Sequence, residues 1–219
     1  PGYRDSLGAP AFNLELKPNH EALWQAGDIA EIQPGNSTER IQAFLQQHAV
    51  AANTPVDAAA QSIAEMLWDR DLTVEVEPFA NMRHLLEQLP TLPAREYSIA
   101  SIPQQQLLRL VVRQQTDAQG QLGLGSGWLG QHAALNSTIA LRIRTNPSFH
   151  LIDDNRPIIC IGNGTGIAGL MSLLSARIRA DYTDNWLIFG ERQRGQRGLG
   201  SEGSCRQRDG GDRNDAGGE

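Results

Sequence analysis

The clearest chemistry in the chain lies in segment 95–101, which reads Arg-Glu-Tyr-Ser-Ile-Ala-Ser. An arginine such as Arg95 can hold a phosphate through two parallel hydrogen bonds, and the ring of Tyr97 can stack on a planar ligand. The hydroxyl of Ser98 could hydrogen-bond a ring nitrogen of the same ligand. In an extended strand Tyr97 and Ile99 share one face. Taken alone, the segment also fits an ordinary strand with a charged edge and a core tyrosine.

A glycine-rich segment, 123–129, has a use for the same class of ligand. Its candidate binding residues are Gly123, Gly125, Ser126 and Gly127. Glycines let the backbone approach an anion closely, and the start of a short helix near Ser126 adds a favourable dipole. A glycine-rich turn without a ligand explains the same pattern.

A second glycine-rich segment, 162–166, follows the apolar run 158–161 and precedes a predicted helix from about 167 to 179. Gly164, Thr165 and Gly166 would offer a hydroxyl and backbone amides to a diphosphate. The spacing is GxGxG, which differs from the dinucleotide fingerprint GxGxxG and from a P-loop. A phosphate site and a structural turn both remain open here.

The composition of the chain limits the classes of protein to which it can belong. The chain has 219 residues and a net charge of −6, which disfavours non-specific nucleic-acid binding. Its 40% hydrophobic content can support a core. The two cysteines do not form a disulfide framework, so we expect a reducing, cytoplasmic compartment. The histidines form no ligand-spaced pair, and we predict no metal site.

The chain contains no apolar run long enough to cross a bilayer and does not open with a signal segment. It begins with Pro1 and not with Met, which indicates a fragment or a processed product. A membrane-anchored parent protein is compatible with both observations.

Several short segments alternate apolar and polar residues, as strands buried on one face do. These segments are 11–17, 28–33, 95–101, 107–115 and 138–144, and 116–120 is predicted to be a hairpin-like loop. Turn signals at Gly27-Asp28 and at Pro34-Gly35-Asn36 bound the second strand. We therefore predict an antiparallel sheet or barrel over residues 1–150.

Helical patterns interrupt this β region over residues 37–92. Ser37 or Thr38 is a predicted N-cap, and a second helix is predicted from about 56 to 68. Segment 72–77 alternates like a strand, although a helix and loop also fit. The apolar stripes of these helices are predicted core positions: Ile41, Phe44, Leu45, His48, Ile63, Met66, Leu67, Met82, Leu85, Leu86 and Leu89.

The pattern changes after a predicted domain boundary near 145–156. The continuous apolar run 158–161 favours a strand buried on both faces, and 185–191 is the next predicted parallel strand. Strand, glycine turn, helix and strand form a βαβ unit over 151–193. Residues 194–219 contain few apolar residues and are predicted to be a disordered or aberrant tail. A shifted reading frame, an artificial end and a natural flexible tail all fit that composition.

In this order the segments resemble the ferredoxin–NADP reductase family, and more closely its diflavin branch, which includes the sulfite reductase flavoprotein component. Arg95-Glu96-Tyr97-Ser98 is similar to the family's R-x-Y-S flavin motif, and 123–127 and 161–168 are similar to its two later motifs. The opening strands and the helical insert also match. The resemblance covers residues 10–193, and Gly169 departs from it because the family usually has proline there.

The resemblance implies a fold, cofactors and roles. The fold would be a Greek-key antiparallel β-barrel that binds FAD and carries a helical insert, followed by an incomplete Rossmann-like NADP-binding domain. Arg95 would bind an FAD phosphate, Tyr97 would stack on the isoalloxazine, and Ser98, the candidate catalytic residue, would lie near flavin N5. Residues 123–127 would wrap the FAD pyrophosphate, and 164–166 would hold the phosphates of NADPH.

By the same resemblance the chain is an oxidoreductase module that passes electrons from NADPH through FAD to a haem or flavodoxin-like acceptor protein. The choice of NADPH over NADH comes from the family alone. Two other readings stay open: an FAD-binding fragment without NADPH turnover, since later family segments have no match in 194–219, and a protein-interaction domain whose glycine segments are only turns.

Overall fold

The computed structural model describes residues 9–19, 23–56, 61–116, 120 and 122–190. The strands are β1 (Ala11–Leu16), β2 (Ile29–Ile32), β3 (Arg95–Ser98), β4 (Leu108–Arg113), β5 (Leu141–Arg144), β6 (Ile158–Asn163) and β7 (Asn185–Gly190). The helices are α1 (Thr38–Gln47), α2 (Ile63–Met66), α3 (Met82–Gln88), α4 (Leu124–Gly127) and α5 (Ile167–Arg179). A π-helical turn, Trp128–His132, continues α4.

The first five strands form two antiparallel sheets, one with the order β1-β4 and one with the order β3-β2-β5. The first two strands therefore lie in different sheets and do not pair with each other. A bridge between Ile99 and Leu110 joins the sheets, and the Ala100 amide donates to the Arg109 carbonyl at 2.8 Å. Over the described residues the sheets do not close into a barrel.

One apolar core joins both sheets. The inward residues of β4, Leu108, Leu110 and Val112, are almost completely buried, and they pack with Ile32 of β2 and with Trp128. The predicted strand over 138–144 is shorter than expected, because β5 pairs Leu141 with Ile32, at the end of β2. Residues 138–140 therefore have no partner strand.

The insert has its own core, which contains the predicted core positions except His48. The side chain of His48 is half-buried, and its ring lies against Phe44. Ser37 is the N-cap of α1, since its hydroxyl accepts from the Arg40 amide. The predicted helix over 56–68 is wrong in its extent. A capping box between Ser62 and Glu65 starts α2 at Ile63, and 57–60 lie outside the described residues.

Segment 72–77 forms no strand, which excludes the strand interpretation and leaves the loop one. The Asp71 carboxylate accepts from the Thr73 amide at 3.0 Å and from its hydroxyl at 2.6 Å, and these bonds close a turn at the start of the segment. The alternating pattern has no neighbouring strand to pair with. An isolated alternating run therefore did not suffice to make a strand.

The βαβ unit is present, with β6 parallel to β7 and α5 between them in sequence. The expectation that β6 is buried on both faces is wrong over the described residues. Cys160 is buried beneath α5, but the side chains of Ile159 and Ile161 are 61% and 71% exposed. A single helix covers a single face of this two-stranded sheet.

The buried Arg177 anchors α5 to the ends of the unit. Its guanidinium donates to the Asn185 side chain and, at 2.8 Å, to the Arg156 carbonyl, and it lies over the Tyr182 ring. The predicted tail, 194–219, and part of the predicted loop 116–120 lie outside the described residues.

Candidate functional site

A cavity of about 450 Å³ opens where β3, β4 and the start of α4 meet. Its lining comes from residues 95–97, 111–113, Gln115, 123–126 and Thr165. The strand segment 95–97, the first glycine segment and Thr165 of the second glycine segment therefore reach one cavity, although they are far apart in sequence. This size lies in the range of about 300–1,000 Å³ that is typical of small-molecule sites.

The absence of a side chain at Gly125 lets the first two segments pack. A Cβ atom on Gly125 would lie 2.6 Å from Arg95 Cγ and 3.0 Å from Tyr97 Oη. Both distances are shorter than ordinary van der Waals contact. The glycine backbone thus lies directly against the arginine stem and the phenol oxygen.

Tyr97 belongs partly to the core and partly to the cavity, since its ring packs against the cluster around Trp128. Burial raises the pKa of its hydroxyl above the usual value, and the positive charge of Arg95 offsets part of this effect. The hydroxyl therefore remains a neutral hydrogen-bonding group near neutral pH.

The second segment is held against the end of β4 by its backbone and by Ser126. The Gly123 amide donates to the Gln115 carbonyl at 2.8 Å, and the Ser126 hydroxyl accepts from the Gln115 amide at 2.8 Å. Ser126 is buried. The Ser126 oxygen thus fixes the loop, and its hydroxyl hydrogen can still donate to another group.

The third segment reaches the cavity because α5 packs on β4. Val111 of β4 and Ala168 of α5 are buried against each other and against Ala100. Residues 164–166 form a 3₁₀ turn that leads into α5, so Thr165 arrives at the cavity lining. Gly164 has φ +50°, a backbone conformation that favours glycine.

A second set of contacts fixes α5 to the start of β2. The Gly27 amide donates to the Ser172 hydroxyl at 3.1 Å, and that hydroxyl donates to the Gly169 carbonyl at 2.7 Å. Gly169 lies inside α5, where a Cβ atom would be 2.8 Å from the Phe149 ring. The family's usual proline would not fit this contact without a shift of the ring.

The buried Asp28 carboxylate ties the segment before β6 to the same place. It accepts from the Gln25 amide at 2.8 Å and from the Asn146 amide at 3.0 Å, and His150 Nε2 lies 2.6 Å away. Burial alone would raise the pKa of Asp28, but these hydrogen bonds and His150 outweigh it and hold the pKa below the usual value. Asp28 therefore remains ionised over the neutral range.

The structure brings six of the ten predicted site residues to the cavity: Arg95, Tyr97, Gly123, Gly125, Ser126 and Thr165. Four do not line it: Ser98, Gly127, Gly164 and Gly166. Ser98 is exposed because it follows Tyr97 directly and so points to the opposite side of β3.

Gly127 packs on the Leu122 side chain, where a Cβ atom would lie 2.6 Å from Leu122 Cβ. It therefore has a packing role in addition to any role in a binding loop. Gly166 has open space where its side chain would be.

The sequence reasoning missed Arg113 and Gln115, which also line the cavity. The alternation in 107–115 was the available signal. It places Arg109, Val111 and Arg113 on the strand face that points away from the core. Of the three, Arg113 reaches the second glycine segment, since its Nη2 lies 3.6 Å from the position of a Cβ atom on Gly164.

No group of three or more histidine, cysteine, aspartate or glutamate side chains in the described ranges has the arrangement of a metal site. None of the helices described above combines the length and apolar character needed to cross a membrane.

No family model matches the sequence, whereas a comparison with curated proteins finds relatives. The NADPH-dependent diflavin oxidoreductase 1 of Mus musculus is 31% identical over an alignment 224 positions long. This alignment covers 90% of this chain and 36% of the relative. The sulfite reductase [NADPH] flavoprotein alpha-component of Mannheimia succiniciproducens is 29% identical over 168 residues, 70% of this chain and 28% of the relative.

NADPH oxidoreductase A of Dictyostelium discoideum is 29% identical over 166 residues, 71% of this chain and 25% of the relative. The chain thus spans about a quarter to a third of the length of these curated relatives. The chain is therefore similar in sequence to ferredoxin–NADP reductase-like flavoproteins of the diflavin reductase branch.

Proposed function

We propose that the chain is an FAD-binding reductase module that moves electrons from NADPH through FAD to a protein-bound acceptor. The observation that carries the proposal is the convergence of Arg95, Tyr97 and the 123–126 loop on one cavity, with Thr165 in the same lining. The names of the relatives support it, since they specify NADPH and, for most of them, a flavoprotein or a diflavin enzyme.

The functional groups in the cavity match the chemical groups of FAD. A guanidinium and backbone amides suit its diphosphate, and a half-buried phenol ring suits a planar ring system. The contact of Gly125 with Arg95 and Tyr97 supports the fit, because any side chain at that position would displace both groups. When bound, FAD supplies the redox chemistry, since its ring system accepts a hydride from NADPH and releases electrons singly.

The proposed role of each residue is the one that the family resemblance implies. Arg95 holds a phosphate of FAD, Tyr97 stacks on the flavin, and residues 123–127 wrap the diphosphate. Gly164, Thr165 and Gly166 hold the phosphates of NADPH. By the same resemblance Ser98 would lie next to the reacting edge of the flavin, although its side chain lies outside the lining of the cavity. The acceptor is a haem protein or a flavodoxin-like protein.

The proposed domains are an FAD-binding domain over 1–150, with its helical insert over 37–92, and a βαβ nucleotide-binding unit over 151–193. We further propose that the two antiparallel sheets are parts of one Greek-key barrel. The Ile99–Leu110 bridge and the shared apolar core support this arrangement.

The proposal is tested with the purified chain, FAD and NADPH. We expect FAD to remain bound after desalting, and NADPH to bleach its visible absorbance under anaerobic conditions. Bound flavin that NADPH does not reduce would limit the chain to FAD binding. A correctly folded protein that binds no FAD would overturn the proposal and favour an interaction domain.

A matched pair of variants tests the site. Arg95→Ala removes a charged hydrogen-bond donor, and we expect it to weaken FAD binding about tenfold to hundredfold, as for a charge-assisted bond of about 1.5–3 kcal/mol. Arg109→Ala is the control, because Arg109 pairs with Glu15 on the surface at 3.0 Å and does not line the cavity. Equal FAD affinity in both variants would exclude Arg95 from the site.

A further inference from the structure

Arg113 is a second cation of the cavity, and its strand places it close to both glycine segments. On β4 the side chains of Leu108, Leu110 and Val112 enter the core, so Arg113 shares the opposite face with Val111. Val111 is the residue that packs on Ala168 of α5. Arg113 follows Val111 by two residues on the same face of β4, so it lies next to the turn that precedes α5.

The guanidinium of Arg113 lies between the cavity and the turn. Its Nη1 donates to the Ala9 carbonyl at 2.9 Å, which holds the group in place. Its Nη2 lies 3.6 Å from the position that a Cβ atom on Gly164 would occupy. The neighbouring Thr165 and the arginine line the same cavity.

Arginine side chains outnumber acidic side chains in the described lining of the cavity. One acidic residue, Glu96, belongs to the lining, but its carboxylate accepts from Arg144 at 2.8 Å. Arg95 and Arg113 contribute two guanidinium groups to the same space. Guanidinium groups present planar sets of donors that match phosphate oxygens.

We propose that Arg113 contacts the diphosphate of a bound dinucleotide. This inference rests on the proposed function and adds to it a binding residue that the glycine motifs do not contain. The diphosphate could belong to FAD on the 123–126 loop or to NADPH on the 164–166 turn, since the guanidinium lies next to both segments. A purely structural arginine would only hold neighbouring segments of the chain together.

The experiment compares Arg113→Gln with wild type for three ligands. These are FAD, riboflavin, which has no phosphate, and NADP⁺ added to the FAD-loaded protein, all measured by equilibrium titration. Arg109→Gln is the matched control on the same face of β4. We expect Arg113→Gln to weaken binding of a dinucleotide about tenfold or more and to leave riboflavin binding unchanged.

Each outcome is decisive. If only the affinity for FAD falls, Arg113 contacts the flavin diphosphate. If only the affinity for NADP⁺ falls, it contacts the diphosphate of the nicotinamide dinucleotide. If both affinities fall, it contacts both diphosphates. Equal affinities for wild type and Arg113→Gln would overturn the inference while leaving the proposed function intact. An equal loss for FAD and riboflavin would also overturn it, because that pattern indicates a structural role.

If wild type binds no FAD, the proposed function fails first, and this inference fails with it. If Arg113→Gln does not fold by circular dichroism, Arg113→Lys carries the test. Lysine keeps the charge but loses the planar pair of donors, so dinucleotide affinity should fall by a smaller factor with riboflavin unaffected. Unchanged dinucleotide affinity in Arg113→Lys, with Arg113→Gln unfolded, would count against a phosphate contact.

Discussion

Adding one methyl group at Gly125 should damage the cavity more than its size suggests. In Gly125→Ala the new Cβ atom would lie 2.6 Å from Arg95 Cγ and 3.0 Å from Tyr97 Oη. The first of these atoms is near the base of its side chain, so a rotation of the guanidinium end cannot relieve the contact. Either β3 or α4 must move.

The size of the effect follows from the cost of overpacking, about 1–3 kcal/mol for an added methyl group in a tightly packed site. If the cost falls entirely on the ligand-bound geometry, FAD binding weakens by about 5-fold to 150-fold. If it falls on folding, the thermal midpoint drops by about 2–4 °C for each kcal/mol in a chain of this size. The free energy lost from FAD binding and the free energy lost from folding should together equal the cost of overpacking.

The assay is a flavin titration combined with a thermal melt of the same sample. Gly190→Ala is the matched control, because a Cβ atom there meets no atom within 4 Å. We expect wild-type behaviour from the control and a loss in at least one readout from Gly125→Ala. If Gly125→Ala matches the control in both measurements, Gly125 does not pack against Arg95 and Tyr97 as described, and the reasoning fails.

Two further predictions concern the framework around the cavity. Arg177→Met should lower the free energy of unfolding by roughly 2–4 kcal/mol, since it leaves buried acceptors unpaired, whereas Arg179→Met at the exposed end of α5 should change it by less than about 0.5 kcal/mol. Chemical denaturation measures both, and equal values would refute the anchoring role. The pKa of Asp28 is lowered in the folded protein, so its stabilising contribution is present above about pH 4, the unfolded value, and is lost as the pH falls through the lower folded value. The thermal midpoints of wild type and Asp28→Asn should therefore converge below about pH 4, and a constant gap from pH 6 to pH 3 would contradict this assignment.

Local elements with a strong chemical signal were predictable from the sequence. The N-cap at Ser37 and the helix over 167–179 are where the sequence predicted them, since capping and 3.6-residue periodicity act within a few residues. Predictions failed where a segment needed a distant partner. Segment 72–77 alternates but has no strand beside it, and 138–140 lies beyond the end of β2.

The sequence by itself determined which residue types could serve a dinucleotide: an arginine and a tyrosine on one strand, and two glycine segments at the starts of helices. Only the tertiary structure decided that these pieces share one cavity, that Ser98 turns away from it and that Arg113 joins it. The physical reason is that a motif acts through its own residues, whereas proximity depends on packing between elements. Here the buried contact of Val111 with Ala168 brings α5 and its turn onto β4.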